Sequence, residues 1–130
     1  MNDNELLHDG MRTSREILTD EHVDRATERA AGFGEPFQEL ITRFAWGAVW
    51  SRPGLDRRMR SAITLAALVS LKAENEIGMH VRAALRNGLT VEEIQEVLLH
   101  TTVYAGVPAG NSAFRIAQEV LSEEGAIQAP

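Results

Sequence analysis

Apolar residues recur along this chain at three- and four-residue spacing and never alternate like a strand for more than a few residues. That periodicity belongs to helices that bury one face. The punctuation between the periodic stretches agrees. A first helix is expected over about 4–18, with Leu6, Leu7, Met11, Ile17 and Leu18 as its apolar positions. Asp20 reads as the N-cap of a short helix that stops in the glycine turn at 32–34. Pro36 sits at a favoured first-turn position. From there Phe37, Leu40, Ile41, Phe44 and Ala48 form one stripe, expected to be a buried face. Pro53 and Gly54 end that helix, and Asp56 caps the next, which runs to about Leu71. Another covers about 74–87, closed by Gly88 as a left-handed cap. Thr90-Val91-Glu92-Glu93 is a capping box that opens a helix through about Tyr104. Pro108 restarts the chain into a last helix over about 109–122. The expectation is an all-α bundle of about six helices in a single domain, 1–130, with 1–10 and 124–130 as flexible ends.

One stretch asks for more than a single core. AITLAALVSL, 62–71, is apolar nearly all round, and such a helix is buried on every side. A chain of 130 residues cannot easily surround it, so an oligomer interface is expected to cover it. The same stretch contains Thr64 and Ser70 and is about half the length of a membrane span, so no membrane role is expected. The N-terminal MNDNELLHDG is polar and carries no signal-like apolar run, which points to a cytoplasmic protein. A net charge of −6 disfavours nucleic acid as a partner, because phosphate binding needs a basic face. With no cysteine, thiol nucleophiles, zinc–thiolate sites and CxxC redox chemistry are excluded.

Three places break local rules. In Leu55-Asp56-Arg57-Arg58-Met59-Arg60, three arginines crowd the first turn of a helix, where the dipole disfavours cations, and Arg52 lies just before them. They form either a solvated or intersubunit ion-pair surface, or an anion site for carboxylates. Glu76 and His80 share one helical face at i, i+4 spacing. They are either an ordinary surface pair or a histidine oriented as a proton donor by its carboxylate neighbour. Arg43, Trp46 and Trp50 lie off the Phe37–Phe44 stripe, as a second packing face or as an aromatic wall with one cation. A second pair, Glu96 and His100, raises a metal question. Its spacing differs from helix-bundle di-metal sites and no HExxH motif is present, so no metal is expected.

Beyond spacing, FQELITRFAWGAVWSRPGLDRRMRSAITLAALVSL followed by EIGMHVRAALRNGLTVEEIQEVLLHTTVYAGVPAGNSAFRIAQEVL closely resembles the γ-carboxymuconolactone decarboxylases over about 11–121. RPGLDRR, MHVRAALRNGLT and VYAGVPAGNSAFR are its most specific segments. The resemblance implies the AhpD-like all-helical fold and homo-oligomers, hexamers built as trimers of dimers. The AhpD-type branch carries CxxC-x3-H. If His80 matches that histidine, Ala73 and Glu76 stand at the two cysteine positions, so a thiol peroxidase is excluded. Two positions depart from the decarboxylase pattern: His100 replaces glutamine and Gly110 replaces alanine.

The activity so implied is that of a carboxy-lyase, decarboxylating 4-carboxymuconolactone to β-ketoadipate enol-lactone in protocatechuate catabolism, with no cofactor. The alternative is a superfamily member acting on another lactone or keto acid. His80 is then the expected proton donor, oriented by Glu76. Arg58, with Arg43 second, is expected to hold the dianion, and Trp46 to shield it. Tyr104 is an alternative donor at the oxyanion, and Asn111 a further binding candidate.

Overall fold

The computed structural model describes residues 1–129. It is all-helical, as expected, with no strand among the described residues. The α-helices are α1 (Asp3–Leu18), α2 (Asp20–Ala30), α3 (Glu35–Ile41), α4 (Arg57–Ser70), α5 (Glu74–Arg86), α6 (Val91–Ala105) and α7 (Val107–Glu123). Helix α3 continues directly into a π-helical segment, Thr42–Trp50. Among the described residues seven α-helices stand where about six are expected. The chain divides into two compact units, Met1–Leu55 and Asp56–Pro130.

In the first unit α1 opens at Asp3, inside the expected N-terminal end. Asn2 accepts the Glu5 amide at 2.9 Å, and Glu5 reaches back to the Asn2 amide, satisfying two helix-end donors at once. Thr19, not Asp20, caps α2, accepting from the His22 amide at 3.3 Å. Asp20 moves into the first turn, where its charge suits the dipole.

The stripe expected to be buried is the main correction. Phe37, Leu40 and Phe44 are 66%, 51% and 65% exposed. The buried positions are Thr42, Trp46 and Gly47 instead. Helix α3 buries no side chain, so Phe37 and Leu40 are exposed before the π segment begins. Within that segment Ser51 N–H bonds to the Trp46 carbonyl five residues back, at 3.1 Å, and the face that packs is the one whose small residues let two backbones approach, not the apolar stripe. That face meets α1 at backbone distance. A Cβ on Gly10 would lie 1.9 Å from the Thr42 carbonyl oxygen, and one on Gly47 would lie 2.2 Å from the Leu6 carbonyl oxygen. Buried hydroxyls close the join: Thr13 and Ser51 meet at 2.7 Å, and Ser51 donates to the Trp46 carbonyl at 2.7 Å.

The second unit holds the aliphatic core. Leu65 and Val69 of α4, Ile77 and Val81 of α5, Ile94 and Leu98 of α6, and Ala113, Ala117 and Leu121 of α7 pack together. Each fully buried Leu or Ile contributes about 1.5–3 kcal/mol. Asp56 caps α4 by accepting from the Met59 amide at 2.8 Å, and Thr90 with Glu93 forms the expected capping box. Only one side of α4 is used in this way: Ile63 is 52% exposed, and Leu71, just after the helix, 76%. After α7 the chain turns back, Ala126 N–H bonding to the Leu121 carbonyl at 2.9 Å, and Ile127 packs on the core. Of the expected flexible tail, Pro130 lies outside the described residues.

Candidate active site

Helix α5 carries the central pair. Glu74 and Glu76 fill its first turn, where carboxylates suit the positive end of the dipole. One turn on, the apolar positions begin: Ile77, Val81 and Ala84 are at most 1% exposed and belong to the core. His80 shares that burial, at 9% exposure beside fully buried Ala83. Glu76, four residues earlier, is exposed. The imidazole is thus removed from bulk water, while its carboxylate neighbour stands at the solvent boundary. A side chain so placed is held in few rotamers, which is what a positioned proton donor requires.

Arg58 opens α4 and is engaged within its own chain. Its Nη1 donates to the Gly88 carbonyl and its Nη2 to the Glu93 carboxylate. Hydrogen bonding to Arg58, then to the Thr90 amide, holds the Glu93 carboxyl down at about 2, and the same contact raises Arg58. One turn along α4, buried Ser61 accepts from Asn87 Nδ2 at 2.8 Å. The local sequence pattern marks Gly88 and Glu93 only as caps. Their tie to Arg58 spans 30 and 35 residues, and no local pattern signals it.

The other expected residues are dispersed. Tyr104 is 80% exposed near the end of α6, tilted against His100 with ring centroids 5.4 Å apart. Asn111, near the start of α7, lines a shallow concavity of about 290 Å³ with Phe114, Arg115 and Gln118. A second concavity, about 260 Å³, lies between α6 and α7 and is lined by Ile94, Leu98, Phe114, Leu121 and Ile127. His80 lines neither. In the first unit Arg43 pairs with Glu39 at 3.6 Å. Trp46 is 7% exposed and tilted against Trp50 at 5.2 Å. Among the described residues no three histidine or carboxylate side chains gather into a metal-sized group.

Residues 35–119 match the Carboxymuconolactone decarboxylase family, a stretch that contains the seven residues for which the resemblance implies a catalytic or substrate-binding role. The chain is 46% identical over 125 residues to a 4-carboxymuconolactone decarboxylase of Acinetobacter baylyi, covering 96% of this chain and 93% of that one. It is 42% identical over 118 residues to the nitrosuccinic acid decarboxylase npaB of Metarhizium robertsii, covering 91% and 82%. A 4-carboxymuconolactone decarboxylase of Pseudomonas putida is 43% identical over 47 residues, 36% of this chain and 98% of that sequence. With the all-helical, AhpD-like fold and the match over most of its length, the chain belongs to the carboxymuconolactone decarboxylase family.

Proposed function

We propose that this protein is a carboxy-lyase that converts 4-carboxymuconolactone to β-ketoadipate enol-lactone and CO2. The observation that carries the reading is the buried imidazole of His80 with Glu76 one turn away, in a chain 46% identical to a decarboxylase named for that substrate. The chemistry needs little else. The departing carboxylate sits on a ring carbon conjugated through a double bond to the lactone carbonyl. When the C–C bond breaks, its electron pair moves into the ring and onto the carbonyl oxygen as a dienolate, and CO2 leaves. Protonation at the carbon next to the carbonyl restores the lactone. The substrate is its own electron sink.

His80 delivers the proton, with Glu76 as its acidic neighbour, a role worth roughly 10²–10⁴-fold. The arginine-rich opening of α4 supplies positive charge for the dianion. The retained carboxylate belongs there, because holding the departing one equally well in ground and transition states would not lower the barrier. A donor at the dienolate oxygen, worth about 3–4 kcal/mol, is also required. Tyr104, Asn111, Arg43 and Trp46 remain candidates for substrate contacts.

The Metarhizium relative supports a second reading. Nitrosuccinic acid is also a dicarboxylic acid whose electron pair, after CO2 loss, is taken up by its own oxygen-bearing group. A chain 42% identical to that enzyme, with His100 and Gly110 departing from the expected pattern, acts under this reading on a different self-activating diacid. Offering both acids to the purified protein and following CO2 separates the two. Turnover of the lactone, unchanged by a chelator, is the expected result; turnover of nitrosuccinate alone overturns the first reading.

The same proposal takes the working form to be a cytoplasmic homo-oligomer. Exposed Ile63 on α4 and Leu71 just after it, and Val103 and Tyr104 on α6, support an oligomer, and among the described residues no helix is long and apolar enough to cross a membrane.

A further inference from the structure

We infer that Arg58 is a positioning residue of this site and not the fork that binds a substrate carboxylate. The inference rests on the decarboxylase reading and divides the work within the arginine cluster. A guanidinium grips a carboxylate with two nitrogens at once. Both terminal nitrogens of Arg58 already hold a partner inside the chain, the Gly88 carbonyl and the Glu93 carboxylate, so a substrate carboxylate would have to compete with Glu93 for the same guanidinium. Its stem is seated as well: a Cβ on Gly88 would lie 3.6 Å from Arg58 Cγ and Cδ, so the aliphatic part lies across the glycine. Gly88 has φ +98°, a conformation that side-chain-bearing residues rarely adopt, and the bare backbone there leaves the stem room.

An exposed ion pair alone holds little. This one acts with a second bolt. Arg58 and Ser61, one turn apart on α4, grip Gly88 and Asn87, the two residues that immediately follow α5. Glu93 extends the grip to the capping box that starts α6. The end of α5 is thereby fixed against the start of α4. A helix moves along its axis as a rigid body, so fixing its C-terminal end at Arg86 fixes His80 six residues earlier. Small displacements of a reacting group are expensive: about 1 Å can lower a rate by roughly 10²-fold.

The test compares wild type, Arg58→Ala, Arg58→Lys and Glu93→Gln. Glutamine still completes a capping box, so Glu93→Gln removes the tie to Arg58 and keeps the start of α6. Turnover of 4-carboxymuconolactone is measured per folded subunit, well below each melting temperature, alongside the imidazole NMR resonances of His80. The expected result is a kcat lowered about tenfold in Arg58→Ala, with KM within about threefold of wild type and shifted His80 resonances. Glu93→Gln moves both readouts in the same direction, and Arg58→Lys recovers part of the loss. A KM raised tenfold or more at unchanged kcat in Arg58→Ala overturns the inference. So does a lower KM in Glu93→Gln, because Glu93 would then be competing with substrate for an anchor. Unchanged kcat and unchanged resonances overturn it too. If wild type leaves the lactone untouched, it is the substrate reading that fails, and the His80 resonances decide the positioning role alone.

Discussion

His80 and Glu76 stand one helical turn apart, yet one is buried and the other exposed. Spacing put them on a common face but left open whether they formed a plain surface pair. The burial of His80 answers that for the imidazole, because a surface pair would leave it in water. His80→Gln keeps a polar side chain of similar reach but cannot deliver the proton, and kcat/KM should fall by roughly 10²–10⁴-fold with little change in melting temperature. Glu76→Gln should lower kcat less than His80→Gln, since an exposed carboxylate only assists. Steady-state kinetics on the two variants check both statements. Glu93 makes a pH prediction. Its carboxyl is held at about 2 against an ordinary 4.5, chiefly by Arg58. A depressed carboxyl stabilises the fold above its ordinary value and loses that contribution as the pH falls toward the folded one. Melting temperatures of wild type and Glu93→Gln should therefore differ above pH 4.5 and converge between there and about 2.

At the scale of elements, the close approach of α1 to the π segment depends on two residues without side chains. A methyl group on Gly10 or Gly47 would run into a carbonyl oxygen of the opposing helix, and backbone cannot rotate away as a side chain can. Gly10→Ala and Gly47→Ala should each destabilise by at least about 1–3 kcal/mol in chemical denaturation. Gly54→Ala meets nothing within 4 Å and should stay within about 1 kcal/mol of wild type. Equal effects at all three would mean that this approach is not as tight as described. The helix ends were legible because caps are local: Asp56, Gly88 and the Thr90–Glu93 box all act where the sequence placed them. The buried face that follows the third helix was not, since the small residues that let two backbones approach chose it and the apolar stripe did not.

At the scale of the molecule, a single copy leaves apolar surface on several helices. Met59, Ile63 and Leu71 on and beside α4 are more than half exposed, as are Val103, Tyr104 and Val107 on α6 and α7. Surface of that kind marks a contact when it gathers into patches. Light scattering should return a mass that is a multiple of 14.3 kDa. Ile63→Glu, at a position outside the core of one copy, should reduce that mass and leave the helical circular dichroism unchanged. A wild-type mass of one subunit would end the oligomer reading.

By itself the sequence determined the helical class, most of the helix ends, the absence of thiol chemistry and the spacing that puts Glu76 and His80 one turn apart on a single helix. All of these follow from residue type and near-neighbour spacing. Tertiary structure decided the rest: that His80 is buried, that Arg58 is committed to Gly88 and Glu93, and that Trp46 and Gly47, not Phe37 and Phe44, face α1. Those outcomes depend on which atoms meet across tens of residues, and periodicity along a chain carries no record of them.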